Sequence, residues 1–379
     1  MKKTVLFFCL ISFSAAAQFT LSPDAFKDKA HRRAIQKAEQ FVDSLRIRQD
    51  IPGISIAVGT HDKILWAEGF GYADVENKLP VTVQSRFRLG SVSKSVTSLA
   101  VGKLVEDGKL NLDVPIQQYV PGFPPKKFPI TGRQLATHTA GIRHYRSDDP
   151  LNCLKRYTSV NEALVIFRDD SLLFQPGTAY NYSTYGYNLL SAAIEGASHT
   201  DFLTFLQTTV FNPLHMAHTG PDYSDSIVVN RVRFYEHSKG RLVNANQVDN
   251  SYKWAGGGLL STPSDLVSMG RELLQPTHFK KETLTLLFTP QLLQNGKNTE
   301  YGLGWRIGKD TKGRKIIHHG GTIDGGRAFL ILYPDDDLVI AITANMSGVT
   351  INLPEMEALA NFFRSAAPTR STAGNRANR

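Results

Sequence analysis

In the segment Phe87-Arg88-Leu89-Gly90-Ser91-Val92-Ser93-Lys94-Ser95-Val96-Thr97 a helix leaves a sheet. Val96, Leu99, Ala100, Leu104 and Val105 recur at roughly the 3.6-residue helical period, which predicts one apolar stripe. Gly108 follows as the stop. If the helix starts near Ser91, then Ser91 and Lys94 lie one turn apart on one face. The free N–H groups of a helix start also favour negative charge there. A serine hydroxyl is a weak nucleophile until a neighbour takes its proton, and a nearby neutral amine can do so. The same four residues also describe an exposed helix start with a solvated lysine. The distinction rests on what accompanies them downstream.

Upstream, Lys2 and Lys3, the apolar run Val5 to Phe13 and Ala15-Ala16-Ala17 read as a secretory signal over residues 1–17. The run is far shorter than the roughly 20 residues a membrane span needs. The expected mature chain begins at Gln18, is exported, and is secreted or periplasmic. It keeps one cysteine, Cys153, so no intramolecular disulfide is expected; a buried small hydrophobe is the reading of that residue. The formal charge of +9 falls to +4 once Lys2, Lys3 and the tail residues Arg370, Arg376 and Arg379 are set aside. With no basic stripe interleaved with aromatics, no nucleic-acid partner is expected.

Ser22-Pro23-Asp24 resembles a helix cap, and Ile35, Ala38, Phe41, Val42 and Leu45 mark one face of the helix that follows. Pro52-Gly53 breaks it, and Ile54 to Val58 and Ile64 to Gly71 read as a hairpin turning at His61-Asp62. Residues 111–294 read as a mostly helical insert. Within it Asp222 to Lys253 is polar and weakly periodic, hence loops with a small hairpin at Ser238-Lys239-Gly240. Strands return at Gly302 to Ile307, Lys315 to His318, Ala328 to Tyr333 and Leu338 to Thr343, before a helix near Glu355 to Phe363. The sheet parts, about residues 27–110 and 295–365, must complete one another, so one integrated domain over 18–365 is expected. Residues 366–379 have a disordered composition.

Two further motifs follow Ser91 in order: Tyr180-Asn181-Tyr182-Ser183-Thr184 and His318-His319-Gly320-Gly321-Thr322. Ser-x-x-Lys, then a tyrosine motif, then Lys/His-x-Gly resembles the motif set of class C beta-lactamase-like serine hydrolases, within the penicillin-binding protein and beta-lactamase superfamily. Leu135-Ala136-Thr137-His138-Thr139-Ala140-Gly141-Ile142, Gly257-Gly258-Leu259-Leu260-Ser261-Thr262 and Tyr301-Gly302-Leu303-Gly304-Trp305 resemble further stretches of that family. Gly141-Ile142-Arg143-His144-Tyr145 and Asp113-Val114-Pro115-Ile116-Gln117-Gln118-Tyr119 resemble its mitochondrial serine beta-lactamase-like branch and bacterial relatives. The likeness implies an α/β (α+β type), transpeptidase-like fold. Its parts would be a five-stranded, mainly antiparallel sheet flanked by helices, and a helical subdomain. It implies hydrolysis of peptide or ester bonds in a small-molecule or peptide substrate, with no metal or cofactor.

Roles follow from acyl-transfer chemistry and that resemblance. Ser91 attacks a carbonyl; Lys94 and Tyr182 handle the proton, either of them as the base. The oxyanion donors are the backbone amides of Ser91 and Thr322. Thr184, His319, Gly320 and Gly321 would contact substrate, with His319-Gly320-Gly321 on the inner edge strand and Gly321 admitting substrate close to the backbone. His319 is preferred over His318 because it keeps the family spacing. Trp305 reads as core. Thr184 and His319 depart from the asparagine and lysine of many beta-lactamases, which argues against efficient lactam hydrolysis. The other classes in play are a penicillin-recognising sensor, a true beta-lactamase or DD-carboxypeptidase, and an assembly protein. The oligomeric state is not legible.

Overall fold

A computed structural model describes residues 24–147, 149 and 154–364. The expected signal at 1–17, Cys153 and the tail at 366–379 lie outside the described residues. The two β-rich ends of the chain meet in a single antiparallel sheet. In spatial order its strands are Phe26–Lys27, Ile64–Asp74, Gly53–Gly59, Leu338–Ala344, Gly326–Tyr333, Lys315–Ile323 and Arg306–Lys309, with Leu79–Pro80 pairing beside Ile64–Asp74. The sheet therefore has eight strands where five were expected. Five long strands form its body, and the extra ones are only two to four residues long.

Period-two alternation sorts the two faces. Ile54, Ile56, Val58, Ile331, Ile340 and Ile342 face one apolar cluster, shared with the helices Arg32–Arg48 and Leu353–Arg364. Ala57, Ala67, Ala328, Leu330, Val339 and Ala341 face the other, shared with the central helix Val92–Glu106. Small side chains on that face admit helices closely. Pro263–Leu274 packs against Leu338–Ala344 and Gly53–Gly59, so this part of the expected insert lies on the sheet.

Several local expectations change. The chain does not enter its first helix at Asp24; Phe26–Lys27 pairs with Trp66 and Ala67, and the helix starts at Arg32. Ser22 and Pro23 of that expected cap are outside the described residues. The central helix carries no single stripe. Val92 to Gly102 are all buried, hydroxyls included, because the helix is enclosed on every side. Ser95 donates to Gly304 O at 2.8 Å and Thr97 to Ala255 O at 2.9 Å, which makes their burial tolerable.

The strand expected from Gly302 begins at Arg306. Gly302 N–H bonds to Trp305 O at 2.8 Å and Gly304 adopts φ +81°, so the residues before it form a turn. Trp305 is fully buried core. The hairpin expected at Ser238-Lys239-Gly240 is present as Tyr235–Ser238 and Arg241–Asn244. Lys239 and Gly240 both have positive φ, as a two-residue type I′ connection requires.

Candidate active site

Ser91 is the cap residue of the central helix, entered through Gly90 at φ +49°. Its hydroxyl makes no capping bond, which leaves it available to other partners. Lys94 Nζ lies 3.2 Å from Ser91 Oγ, 3.1 Å from Thr184 Oγ1 and 2.5 Å from Gly256 O. The Lys94 side chain is wholly buried. Burial, then the charges of Lys253 and Arg306, push its pKa well below the ordinary lysine value. A neutral amine suits this setting. It can donate to Gly256 O and Thr184 Oγ1 while its lone pair accepts the Ser91 hydroxyl.

The Tyr182 phenol adjoins Ser91, and its ring centroid lies 4.8 Å from Lys94 Nζ. Burial raises its pKa, outweighing the opposing effects of Ser91 and Arg306, so the phenol is held protonated. The segment carrying it is fixed by two histidines. His138 Nδ1 accepts the Ser183 N–H at 3.1 Å, and His144 Nδ1 accepts the Thr184 N–H at 3.2 Å. Burial keeps both rings neutral: His144 falls to about 4, and His138 well below its usual value. Ser183 completes the arrangement as helix cap, with Oγ accepting from Gly186 N at 3.0 Å and donating to Arg143 O at 2.6 Å.

Lys315–Ile323, which carries the third motif, is not the edge of the sheet along its whole length. Arg306–Lys309 covers it up to His318; from His319 onward that side has no strand partner among the described residues. The uncovered part passes the turn that bears Ser91. Thr322 N lies 2.9 Å from where a Cβ on Gly90 would sit, so the Ser91 and Thr322 amides are brought close together. Packing alone already requires glycine at position 321. A Cβ there would lie 1.9 Å from Leu89 O and 3.0 Å from Ser91 N. At Gly320 the nearest atoms to an added Cβ would be the Phe329 ring at 3.3 Å and Arg327 Nη2 at 3.6 Å. Gly321→Ala should therefore destabilise the fold by about 3 kcal/mol or more, the upper range of overpacking, and Gly320→Ala by much less. Urea denaturation checks this; equal effects would refute the assigned contact.

His319 rather than His318 lies on the Ser91 side. Its Nδ1 donates to Gly320 O at 2.8 Å, and its Nε2 accepts from Tyr301 Oη at 2.9 Å. Burial holds it neutral. It has no spare donor for substrate and sits behind the cleft. His318 points the other way and stacks on Phe329 at 5.5 Å. Thr184 contacts Lys94 rather than reaching outward with a free hydroxyl. Two residues not assigned a site role from the sequence complete the surroundings. Tyr301 was quoted only as part of a resemblance, yet it holds His319. Arg306, directly after Trp305, places its guanidinium carbon 5.8 Å from the Tyr182 ring centroid. Its adjacency to Tyr301-Gly302-Leu303-Gly304-Trp305, opposite the third motif, was the available signal.

The cleft over Ser91 has a volume of about 360 Å³ and is lined by Ser91, Thr184 and Thr322 together with His144, Tyr145 and Lys253. Larger hollows, of about 580, 550 and 460 Å³, are lined by neither Ser91 nor Lys94. Among the described residues, no group of three or more His, Cys, Asp or Glu is placed to hold a metal ion. No helix of the described residues is long and apolar enough to cross a membrane.

The beta-lactamase family model matches residues 34–354. The mitochondrial serine beta-lactamase-like protein LACTB of Homo sapiens is 30% identical over 437 residues, covering 87% of this chain and 80% of that protein. Penicillin-binding protein 4* of Bacillus subtilis is 28% identical over 298 residues, covering 74% of this chain and 65% of that protein. Among solved structures, the octameric penicillin-binding protein homologue from Pyrococcus abyssi superposes with a TM-score of 0.75 at 27% identity, covering 87% of this chain and 77% of the other.

Proposed function

The chain belongs to the beta-lactamase family, and on that premise we propose that it is an exported serine hydrolase that cleaves peptide or ester bonds through an acyl-enzyme on Ser91. Hydrolytic and acyl-transfer chemistry is typical of the superfamily. The observation that carries the proposal is the buried Lys94 amine, 3.2 Å from Ser91 Oγ and displaced toward its neutral form. Of the two candidate bases, the amine is favoured over a phenol whose pKa burial raises. Export rests on Lys2, Lys3, the apolar run and Ala15-Ala16-Ala17.

Lys94 Nζ takes the Ser91 proton as Oγ bonds the carbonyl carbon. The Ser91 and Thr322 amides receive the developing oxyanion. Collapse breaks the bond to the leaving nitrogen or oxygen, which receives the Tyr182 proton. The ammonium of Lys94 then returns its proton to Tyr182. Water repeats the sequence: its proton passes to Lys94, its oxygen bonds the acyl carbon, and Ser91 Oγ departs and is reprotonated. Gly256 O and Thr184 Oγ1 keep Lys94 oriented throughout.

Simple esters and short peptides are the preferred substrates. The Thr184 hydroxyl, which accepts from Lys94, is shorter than a carboxamide and cannot both donate and accept across the same span toward a lactam side-chain amide, and His319 has no free donor. One unmet polar partner in a desolvated site costs about 1–3 kcal/mol. A p-nitrophenyl ester should therefore exceed nitrocefin in kcat/KM by at least about tenfold. The test is fluorophosphonate labelling followed by turnover on ester, peptide and lactam panels. Nitrocefin as the best substrate would overturn the preference. Labelling without turnover of any member would instead mark a protein that acylates and stays acylated.

A further inference from the structure

We propose that Arg327 is a positioning residue for the oxyanion site: it clamps the Gly321–Thr322 peptide, so that the Thr322 N–H stays aimed at the carbonyl attacked by Ser91. This deepens the hydrolase proposal and rests on Ser91 as the acylated residue and Thr322 as the second donor.

The segment that carries the donor has little to hold it from within. Gly320-Gly321-Thr322-Ile323-Asp324-Gly325-Gly326 contains four glycines in seven residues, each with the backbone freedom a side chain would remove. Its outer side has no strand partner among the described residues, and Thr322 itself is exposed. The turn beyond it is fixed separately. Asp324 O accepts from Arg88 Nη1 at 2.8 Å, and Gly325 N–H donates to Ser347 Oγ at 2.6 Å.

Thr322 is fixed by Arg327, which stands opposite it on the neighbouring strand. Arg327 Nη1 donates to Thr322 Oγ1 at 2.7 Å and to Gly321 O at 3.3 Å. Nη2 donates to Asn352 Oδ1 at 2.7 Å and to Ile351 O. Ile351 is wholly buried, and Asn352 leads into the last helix, Leu353–Arg364. One planar fork therefore ties the glycine-rich strand end to a helix start rooted in the core. A lysine could not grip both sides with the same geometry.

The Gly321 contact links the clamp to the chemistry. Gly321 C=O and Thr322 N–H are the two ends of one planar peptide. A cation donating to the oxygen fixes that plane and polarises the opposite N–H into a stronger donor. Preorganised donors count most where charge develops, so Arg327 acts on the tetrahedral state through Thr322, without touching substrate.

The test uses Arg327→Met, which keeps the apolar stem and deletes the fork, and Thr322→Val, which deletes Oγ1 and keeps the N–H. On a p-nitrophenyl ester each should lower kcat by about ten- to 10²-fold, short of the 10²–10³ lost with a whole oxyanion donor. KM should move by less than about threefold, because a ground-state ester makes little use of the donors. Affinity for phenylboronic acid, whose adduct on Ser91 is tetrahedral, should fall in proportion to kcat. The double variant should match Arg327→Met, since both changes cut one clamp. Arg327→Lys should recover part of kcat. An arginine that only stabilised the fold would lower Tm and leave kcat and boronate affinity in place. If Arg327→Met does not fold, Thr322→Val carries the same test from the other end. Amide hydrogen exchange at Gly321 and Thr322 needs no turnover, and should quicken by about tenfold or more in either variant. Quickened exchange in a protein whose wild type neither labels nor turns over ester supports the clamp while the hydrolase proposal fails. Unchanged exchange, or an active wild type whose kcat survives both substitutions, overturns it.

Discussion

Ser91→Ala protein is expected to fold normally, take up no fluorophosphonate, and lose turnover on the order of 10⁶-fold, the scale seen when a serine hydrolase loses its nucleophile. The effect should be this large because the other serines of the two motifs are committed elsewhere. Ser93 is fully buried and its hydroxyl bonds the Leu259 N–H. Ser183 is committed as the cap of Thr184–Ser198. Removing the Ser91 hydroxyl breaks no capping bond, so stability should change little. Circular dichroism and peptide mapping of the label check both parts. A label found on Ser93 or Ser183 would refute the assignment, as would an Ser91→Ala protein that still turns over ester.

Lys94→Ala and Tyr182→Phe should each reduce turnover by at least about 10²-fold, the usual scale of general acid–base assistance. The two residues share one proton path, so the double variant should fall far less than the product of the singles. Strict multiplicativity would mean separate paths. The pH dependence has a definite sign. Lys94 must be neutral to accept the Ser91 proton, and burial lowers its pKa. Labelling should therefore survive well below the pH at which an exposed lysine becomes protonated. It should fall as pH drops through the depressed pKa. Tyr182 must stay protonated, and its raised pKa should extend activity on the alkaline side. An acid limb at the ordinary lysine pKa would contradict the neutral amine. The Lys94→Ala variant separates loss of the base from misfolding if its Tm stays near that of wild type.

What could be read in the sequence was what depends on local spacing. Ser91 and Lys94 are one helical turn apart whatever surrounds them. The long strands announced themselves as apolar runs bounded by turn residues, while the number five came from the family resemblance. Two-residue strands such as Phe26–Lys27 have no period to detect, so the sheet was undercounted. The central helix misled in another way, because Ser93, Ser95, Thr97 and Ser98 look solvent-facing until their buried acceptors are known. Asp222 to Lys253 read as loose loop because its cohesion is polar. Asp222 accepts from Arg88 at 2.7 Å and from Asn250 at 2.8 Å, pairs that leave no apolar periodicity. Thr184 and His319 were found as positions, but a hydroxyl facing Lys94 and an imidazole facing Tyr301 are tertiary facts. Arg306 was missed because a turn at Gly304 delays the strand, changing which residue stands at its mouth.

The middle of the sheet joins Gly53–Gly59 to Leu338–Ala344, with Ile56 opposite Ile342 and Val58 opposite Ile340. Residues near the two ends of the chain must therefore find each other before this layer exists. Such distant pairing slows folding, since loop closure precedes the contacts that reward it. Thr322 also arrives late, on the hairpin beside that seam. A chain emerging from synthesis or translocation can display Ser91 and Lys94 long before it possesses the second amide. On the proposed mechanism, chemical competence is thus tied to the late arrival of that hairpin, and a chain that has not yet formed it should be inert.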